Sequence, residues 1–279
     1  MKKKILIIGK NSFISNNISI YLKKIFLIHI ISFKKFKNIS KKKLLKFNYI
    51  INCSISKKYT TNKYKEFNDV DLYIANKIKN TSLKLIFLST RKVYKLGKNI
   101  KEHSKILPMC NYSKNKYITE KKIYKILLDR FLILRISNLV GRYNYKKASR
   151  KIHKTFIDNF FININKNIIF DNKNIFKDFI TIKKFCEIIK KLILKNAHGT
   201  FNVSFGKKVY LRDLVKWLNY YNKNNVLVKK IPKNFNKDCF YLNNSKLKNK
   251  IKVNFDDSEL KNYCYKISKN FFKKSKFNY

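Results

Sequence analysis

Short runs of consecutive apolar residues alternate along this chain with longer stretches in which apolar positions recur every three or four residues. The runs Lys4 to Ile8, Phe26 to Ile31, Tyr49 to Asn52, Leu83 to Leu88 and Arg130 to Leu134 read as strands. They lack the polar alternation of a sheet with one wet face, so both of their faces are buried. Phe13 to Lys24, Asn62 to Lys79 and Asn111 to Leu128 read as the helices between them. Parallel strands need long crossover connections, and a helix is the usual one, so the order predicts an α/β fold built on a doubly wound parallel sheet. Ligands of such sheets bind outside the carboxyl ends of the strands. Gly9, Asn52 to Ser54, Ser89-Thr90 and Ser137-Asn138 all fall at those ends.

After about residue 145 the rhythm loosens. Ile152 to Phe161, Ile182 to Leu194 and Leu211 to Tyr221 read as helices, with brief apolar stretches at Thr200 to Val203 and Val226 to Lys230. Pro232 marks a connector. Asp256-Asp257-Ser258-Glu259 opens a last helix with acidic residues suited to its N-terminal dipole. No Pro- or Gly-rich linker separates the halves. The expected division is residues 1–145 as a nucleotide-binding domain carrying the catalytic groups. Residues 146–279 then form mostly a smaller substrate-binding lobe that is free to return strands or helices to the first part.

Composition changes this picture less than its numbers suggest. The chain of 279 residues carries 66 basic and 15 acidic side chains, a formal charge of +51. That charge raises nucleic acid or an anionic surface as a partner. Only six of the basic residues are Arg, the side chain suited to bidentate recognition of bases and phosphates, and the lysines are spread over nearly every segment. Lys, Asn, Ile, Phe and Tyr are enriched together, which codon bias towards A and T explains without a polyanion. Nucleic acid is therefore the weakest of the partner classes, although the field concentrates anionic ligands. Five cysteines lack C-x-x-C or His partners at ligand spacing, so neither a disulfide framework nor a metal site is expected. The apolar start is cut short at Gly9-Lys10-Asn11-Ser12, and no run reaches the roughly 18 apolar residues of a membrane span. These features predict a reduced, cytoplasmic protein with no membrane insertion.

Two constellations carry chemistry. In the first, a strand runs into the turn Gly9-Lys10-Asn11-Ser12-Phe13-Ile14-Ser15. Dinucleotide-binding folds place three glycines in such a turn, so that backbone N–H groups and a helix N-terminus meet the pyrophosphate. Here only the first glycine is present. Ser12 and Ser15 stand in the other two places, where their hydroxyls serve either as phosphate donors or as helix caps. At the end of the second strand, Ser32-Phe33-Lys34-Lys35 offers no carboxylate for a ribose diol, and Lys34 with Lys35 would tolerate a 2′-phosphate. That tilts the expected cofactor towards NADP.

The second constellation is Tyr112 and Lys116, four residues apart in a predicted helix that follows Ser89-Thr90. Positions i and i+4 share a helix face. An ammonium there favours the phenolate, so the expectation is a phenol with a lowered pKa, usable as a general acid or base. Thr90 would hydrogen-bond the same substrate oxygen. The bland alternative is a surface helix with snorkelling side chains.

Together these segments resemble the extended short-chain dehydrogenase/reductase family, the NAD-dependent epimerase/dehydratase type acting on nucleotide sugars. The similarity runs through the Gly9 turn, Ile51-Asn52-Cys53-Ser54, Leu88-Ser89-Thr90-Arg91-Lys92-Val93-Tyr94, and Tyr112 to Lys116 with Glu120. It continues through Leu134-Arg135-Ile136-Ser137-Asn138-Leu139-Val140-Gly141, Lys177-Asp178-Phe179-Ile180 and Gly199-Thr200-Phe201-Asn202-Val203. The resemblance implies a Rossmann-type sheet with NAD(P) as cofactor and Thr90, Tyr112 and Lys116 as the catalytic residues. It implies cofactor contacts by Gly9, Ser12, Phe13, Ile14, Lys34, Cys53, Ser54, Tyr112, Lys116 and Ile136. Substrate contacts would come from Ser89, Asn138 and Lys177, with Ser89 a rival to Thr90 that instead supports the strand end. Lys116 would bind the nicotinamide ribose and depress the tyrosine. The 4,6-dehydratases of the family carry Asp-Glu after the catalytic Thr, where this chain has Arg91-Lys92, which disfavours dehydration. Reduction of a keto sugar or epimerisation remains: the compact length and Gly-Lys turn are similar to dTDP-4-dehydrorhamnose reductases, Val93-Tyr94 to 4-epimerases. Family members often form homodimers. The implied setting is surface polysaccharide synthesis. A cofactor-binding relative that has lost catalysis, suggested by the missing glycines, stands as the alternative.

Overall fold

The computed structural model describes residues 2–141, 156–171, 174–230 and 238–274. The elements run β1 (Lys4–Ile8), α1 (Phe13–Leu22), β2 (Leu27–Ile31), α2 (Phe33–Lys37), α3 (Lys41–Leu44), β3 (Tyr49–Asn52), α4 (Lys57–Thr61), α5 (Val70–Ile78) and β4 (Lys84–Thr90). Then follow α6 (Asn111–Leu127), β5 (Phe131–Ile136), β6 (Asn138–Val140), α7 (Phe156–Ile164), β7 (Ile168–Asp171), β8 (Phe176–Lys177) and β9 (Phe179–Thr181). The last are α8 (Ile182–Leu194), β10 (Gly199–Val203), β11 (Val209–Tyr210), α9 (Leu211–Asn219), β12 (Leu227–Lys230), α10 (Ser245–Lys250) and α11 (Asp257–Lys274).

Six strands form one parallel sheet in the order β10-β5-β4-β3-β1-β2. The chain reverses its direction of travel between β1 and β3, and the crevice at such a switch point is where ligands of these sheets sit. The period-2 geometry of a strand explains the two cores. Ile5 and Ile7 of β1, Ile86 and Leu88 of β4, and Leu132 and Leu134 of β5 face the layer holding α1 and α8. Leu6 and Ile8, Leu85 and Phe87, and Phe131 and Ile133 face the layer holding α5 and α6. Every one of these side chains is buried.

Two departures from the sequence reading have physical causes. The helix expected from Asn62 begins only at Val70, because the Asp69 carboxylate accepts the Leu72 N–H at 3.0 Å and so sets the N-cap there. The preceding residues instead form α4 and a single turn of tighter helix at Glu66–Asn68. Strands β4 and β5 each run two residues further than expected, since Ser89 and Thr90 pair with Arg135 and Ile136 in the ladder. The stretch Thr200 to Val203 joins the main sheet beside β5. The first core is continuous with buried residues of α7, α9 and α11, among them Phe161, Leu214 and Leu260. The expected boundary at 145, the start of the helix expected from Ile152 and the Pro232 connector lie outside the described residues.

Candidate active site at the carboxyl ends of the strands

At the end of β1 the backbone of Gly9 takes φ +119°, a conformation that side chains rarely tolerate. A Cβ there would stand 2.9 to 3.0 Å from the backbone of Cys53 and Ser54, at the end of β3. Cys53 N–H donates to the Ile8 carbonyl at 2.7 Å, so the two strand ends are stitched together at the switch point. Helix α1 starts from Ser12, whose side chain makes no cap bond to it. Ser15 does not take the phosphate role offered by the sequence. Its buried hydroxyl donates to the Gly9 carbonyl at 2.6 Å, with the Ser12 carbonyl 3.0 Å away, so it braces the turn from within. Phe13 opens the helix within reach of Gly141, where an added Cβ would overlap its ring at 2.4 Å. A turn with no room for a Cβ, followed by an uncapped helix, fits a dinucleotide pyrophosphate with one glycine where three are usual. Gly9→Ala is expected to lose roughly 2 kcal/mol of stability through strain alone, and to weaken NAD(P)H binding because relief means parting β1 from β3. Thermal melting and nucleotide fluorescence titration check both.

Beyond the end of β2, Ser32 accepts the Lys35 N–H and caps α2, on which Lys34 and Lys35 are exposed. Cys53 and Ser54 follow β3, and the Ser54 N–H donates to Asn52 Oδ1 at 2.9 Å. Ile136, at the end of β5, is buried beside Thr90 in the ladder.

Thr90 and Tyr112 meet. The Thr90 hydroxyl accepts the Lys92 N–H and hydrogen-bonds the Tyr112 phenol from the end of β4. Lys116 is no snorkelling surface residue. It is 5% exposed, its ammonium lies 4.3 Å from the centre of the Phe87 ring, and it pairs at 3.4 Å with Asp71 in the first turn of α5. Asp71 is itself buried and accepts from Asn52 Nδ2 at 2.7 Å.

These neighbours correct the expected titration of Tyr112. Burial pushes the phenol above its ordinary value; Lys116 opposes this, and the Asp71 carboxylate adds to it. The lysine does act on the phenol in the sense the spacing implies. Burial outweighs its field, and a carboxylate that the i, i+4 pattern of α6 cannot reveal opposes it further. For Lys116, burial is the largest influence and pulls it down, yet Asp71, then Tyr112 and Asp69, hold the ammonium above its ordinary value.

The residues expected to touch substrate are engaged with the protein itself. Ser89 gives its hydroxyl to the Glu120 carboxylate on α6, which is the strand-end support. Glu120 in turn holds the buried Arg135 of β5 through Nη2 at 2.6 Å and Nε at 3.1 Å. Arg135 Nη1 donates to the Tyr94 hydroxyl at 2.9 Å, and Tyr94 donates to Asn202 of β10 at 2.7 Å. Asn138 donates from Nδ2 to the Asp178 carbonyl at 3.1 Å. Lys177 pairs with Asp238 at 3.2 Å, and Arg91 grips both oxygens of the same carboxylate while stacking 3.7 Å above the Phe240 ring. Arg91 thus stands immediately after Thr90 as a cation tied to the C-terminal half.

Sequence reading missed Asp69, Asp71 and Asp238. A signal existed for the first two. Acidic residues are scarce here, and two of them at the start of a helix, in a chain of +51, are more informative than any lysine.

A family model described as the NAD dependent epimerase/dehydratase family matches residues 47–204, more than half of the chain, from β3 to the end of β10. A search of the curated proteins found no match. Solved structures resemble the chain along nearly its whole length. One is a UDP-N-acetylglucosamine 4-epimerase from Methanobrevibacter ruminantium M1, in complex with UDP-N-acetylmuramic acid. It is 20% identical, has a TM-score of 0.78, and covers 98% of this chain and 100% of that one. A dTDP-4-dehydrorhamnose reductase from Bacillus anthracis, in complex with NADP, is 17% identical with a TM-score of 0.77 over 98% and 100% of the two chains. A UDP-glucuronic acid 4-epimerase from Bacillus cereus, in complex with NAD, is 15% identical with a TM-score of 0.73 over 96% and 99%. At these identities the likeness establishes the fold.

Proposed function

Because this chain belongs to the NAD dependent epimerase/dehydratase family, we propose that it is an NAD(P)-dependent reductase or epimerase of a nucleotide-activated sugar. The observation that carries this reading is the convergence of Thr90, Tyr112 and Lys116 from β4 and α6 on the mouth of the sheet, next to the contact of Gly9 with Cys53. Bound NAD(P) would supply the hydride acceptor or donor at the sugar carbon. The Gly9 turn, the start of α1, Cys53, Ser54 and Ile136 would hold it. Exposed Lys34 and Lys35 would receive a 2′-phosphate, in favour of NADP. Thr90 would fix the reacting sugar oxygen, and Tyr112 would give or take its proton, with the protein contributing orientation and placed charge.

The phenol is held protonated at neutral pH, available as a donor in either reduction or epimerisation. Arg91 and Lys92, in place of an acidic pair, speak against dehydration. The setting proposed for this activity is cytoplasmic synthesis of a surface polysaccharide. Among the described residues no helix is long and apolar enough to cross a membrane.

The test is incubation of the protein with NADPH or NADH, and with NADP or NAD, against a panel of UDP- and dTDP-sugars and 4-keto sugars. A reductase consumes reduced nicotinamide in proportion to product. An epimerase interconverts sugars with no net change in absorbance and is read by sugar analysis. Nucleotide binding without turnover of any panel member would favour the relative that has lost catalysis.

A further inference from the structure

We propose that Asp71 is a positioning residue of this active site: its carboxylate fixes the Lys116 ammonium beside Tyr112 and ties it, through Asn52, to the nucleotide-binding turn. The inference rests on the functional reading above and deepens it. Four observations carry it. Asp71 and Lys116 are 4% and 5% exposed and pair at 3.4 Å across the α5–α6 contact. The second carboxylate oxygen accepts Asn52 Nδ2 at 2.7 Å. Asn52 also receives the Ser54 N–H and donates to the Ser54 carbonyl at 3.0 Å, so the side chain that holds Asp71 shapes the loop packed against Gly9. Finally, aromatic faces also line the Lys116 ammonium, Phe87 at 4.3 Å and Tyr59 at 5.7 Å, and neither supplies a counter-charge.

The other charged and titratable groups around the pair are accounted for. On α5, Asp69 is engaged by its own helix through Leu72 and accepts from Tyr64 at 3.0 Å and Thr119 at 2.5 Å. On α4, the Tyr59 hydroxyl bonds Thr119 at 2.6 Å. On α6 the neighbour is Tyr112, and Cys53 follows β3 with its thiol pushed far above the ordinary range by burial. Asp71 is thus the carboxylate in direct contact with the ammonium. A lysine this deeply buried, left without its counter-charge, gives up its proton far below the ordinary lysine range. Asp71 keeps it a cation, and a nicotinamide ribose then meets an oriented ammonium in place of a neutral amine.

The experiment compares NADH and NADPH binding by fluorescence from about pH 7 to about pH 9. Native protein is expected to bind with little pH dependence. Asp71→Asn, shown folded by its melting transition, is expected to lose affinity as pH rises, by roughly tenfold across that range, as the unpaired ammonium deprotonates. Adding Lys116→Arg to Asp71→Asn should flatten the profile again, because a guanidinium stays charged. A purely structural Asp71 would give a uniform loss with no such limb and no rescue. A flat profile in folded Asp71→Asn overturns the proposal. Should that variant not fold, Asp71→Glu keeps the charge and is expected to stay flat, and a pH-dependent loss there overturns it instead. Failure of native protein to bind either nucleotide sinks the functional reading, whereas native binding with unaltered profiles in the variants sinks only the role of Asp71.

Discussion

Tyr112→Phe is expected to lower turnover by roughly a hundred- to ten-thousand-fold, the range of a positioned proton-transfer group, while NADH and NADPH affinity stays close to native. The split is the informative part. Removing one oxygen leaves the ring to pack at the start of α6, and leaves the Gly9 turn and the Asp71–Lys116 pair untouched. What is lost, on the proposed function, is the group that moves the proton. The phenol's raised pKa sets the sign of the pH dependence in the native protein. Burial keeps Tyr112 protonated up to and beyond the ordinary phenol range, with Lys116 opposing and Asp71 reinforcing that hold. Reduction, in which the phenol donates, should hold steady through neutral pH and fall only as the phenol ionises. Oxidation, in which a phenolate must accept, should rise with pH over the same interval. Single-turnover rates of nicotinamide oxidation and reduction against pH read both. Turnover in Tyr112→Phe within a few-fold of native would remove Tyr112 from the chemistry.

Glu120→Ala is expected to cost about 3–5 kcal/mol, because it strands the buried Arg135 guanidinium without its carboxylate. For a chain of this size that corresponds to a fall in melting temperature of roughly 10 °C. Glu120 is 4% exposed and joins the end of β4, through Ser89, to β5, through Arg135. Arg135 then reaches Tyr94, the Glu102 carbonyl at 2.9 Å and, through Tyr94, Asn202 of β10. The loss should therefore spread along three neighbouring strands at the very end of the sheet where Thr90 sits, and activity should fall with stability. Replacing Glu120 and Arg135 together by Met is expected to cost less than Glu120→Ala alone, since no uncompensated charge remains. Thermal and denaturant melts of the two variants decide the matter. A single variant losing under about 1 kcal/mol would mean the network is not supporting the strand ends.

Legibility in the sequence followed how local each signal was. The strand β1 and the helix α8 have the same bounds in the apolar pattern and in the structure, because burial on both faces or on one stripe writes itself into consecutive residues. Helix α5 was misjudged at its start, where a single carboxylate, Asp69, outweighs a pattern averaged over many positions. Ser15 was read from its place in the turn as either a phosphate donor or a helix cap, yet its hydroxyl points back to the Gly9 carbonyl, a direction fixed by the turn's own fold. Lys177 and Ser89 were expected at the site from the resemblance, but their partners in the fold, Asp238 and Glu120, lie 61 and 31 residues away.

By itself the sequence determined the strands and long helices of the first half of the chain, that those strands are parallel and doubly covered, that Gly9, Asn52 and Thr90 fall where they end, and that Tyr112 and Lys116 share one face of a following helix. Those properties depend on side-chain periodicity and on the handedness of crossover connections, both of which act between residues close along the chain. Only the tertiary structure decided the electrostatics. The charge that Tyr112 feels depends on Asp71, 45 residues before Lys116 and held by Asn52 from a third element. Coulomb and desolvation energies follow distance and burial in space, and neither is written in the order of residues along a chain.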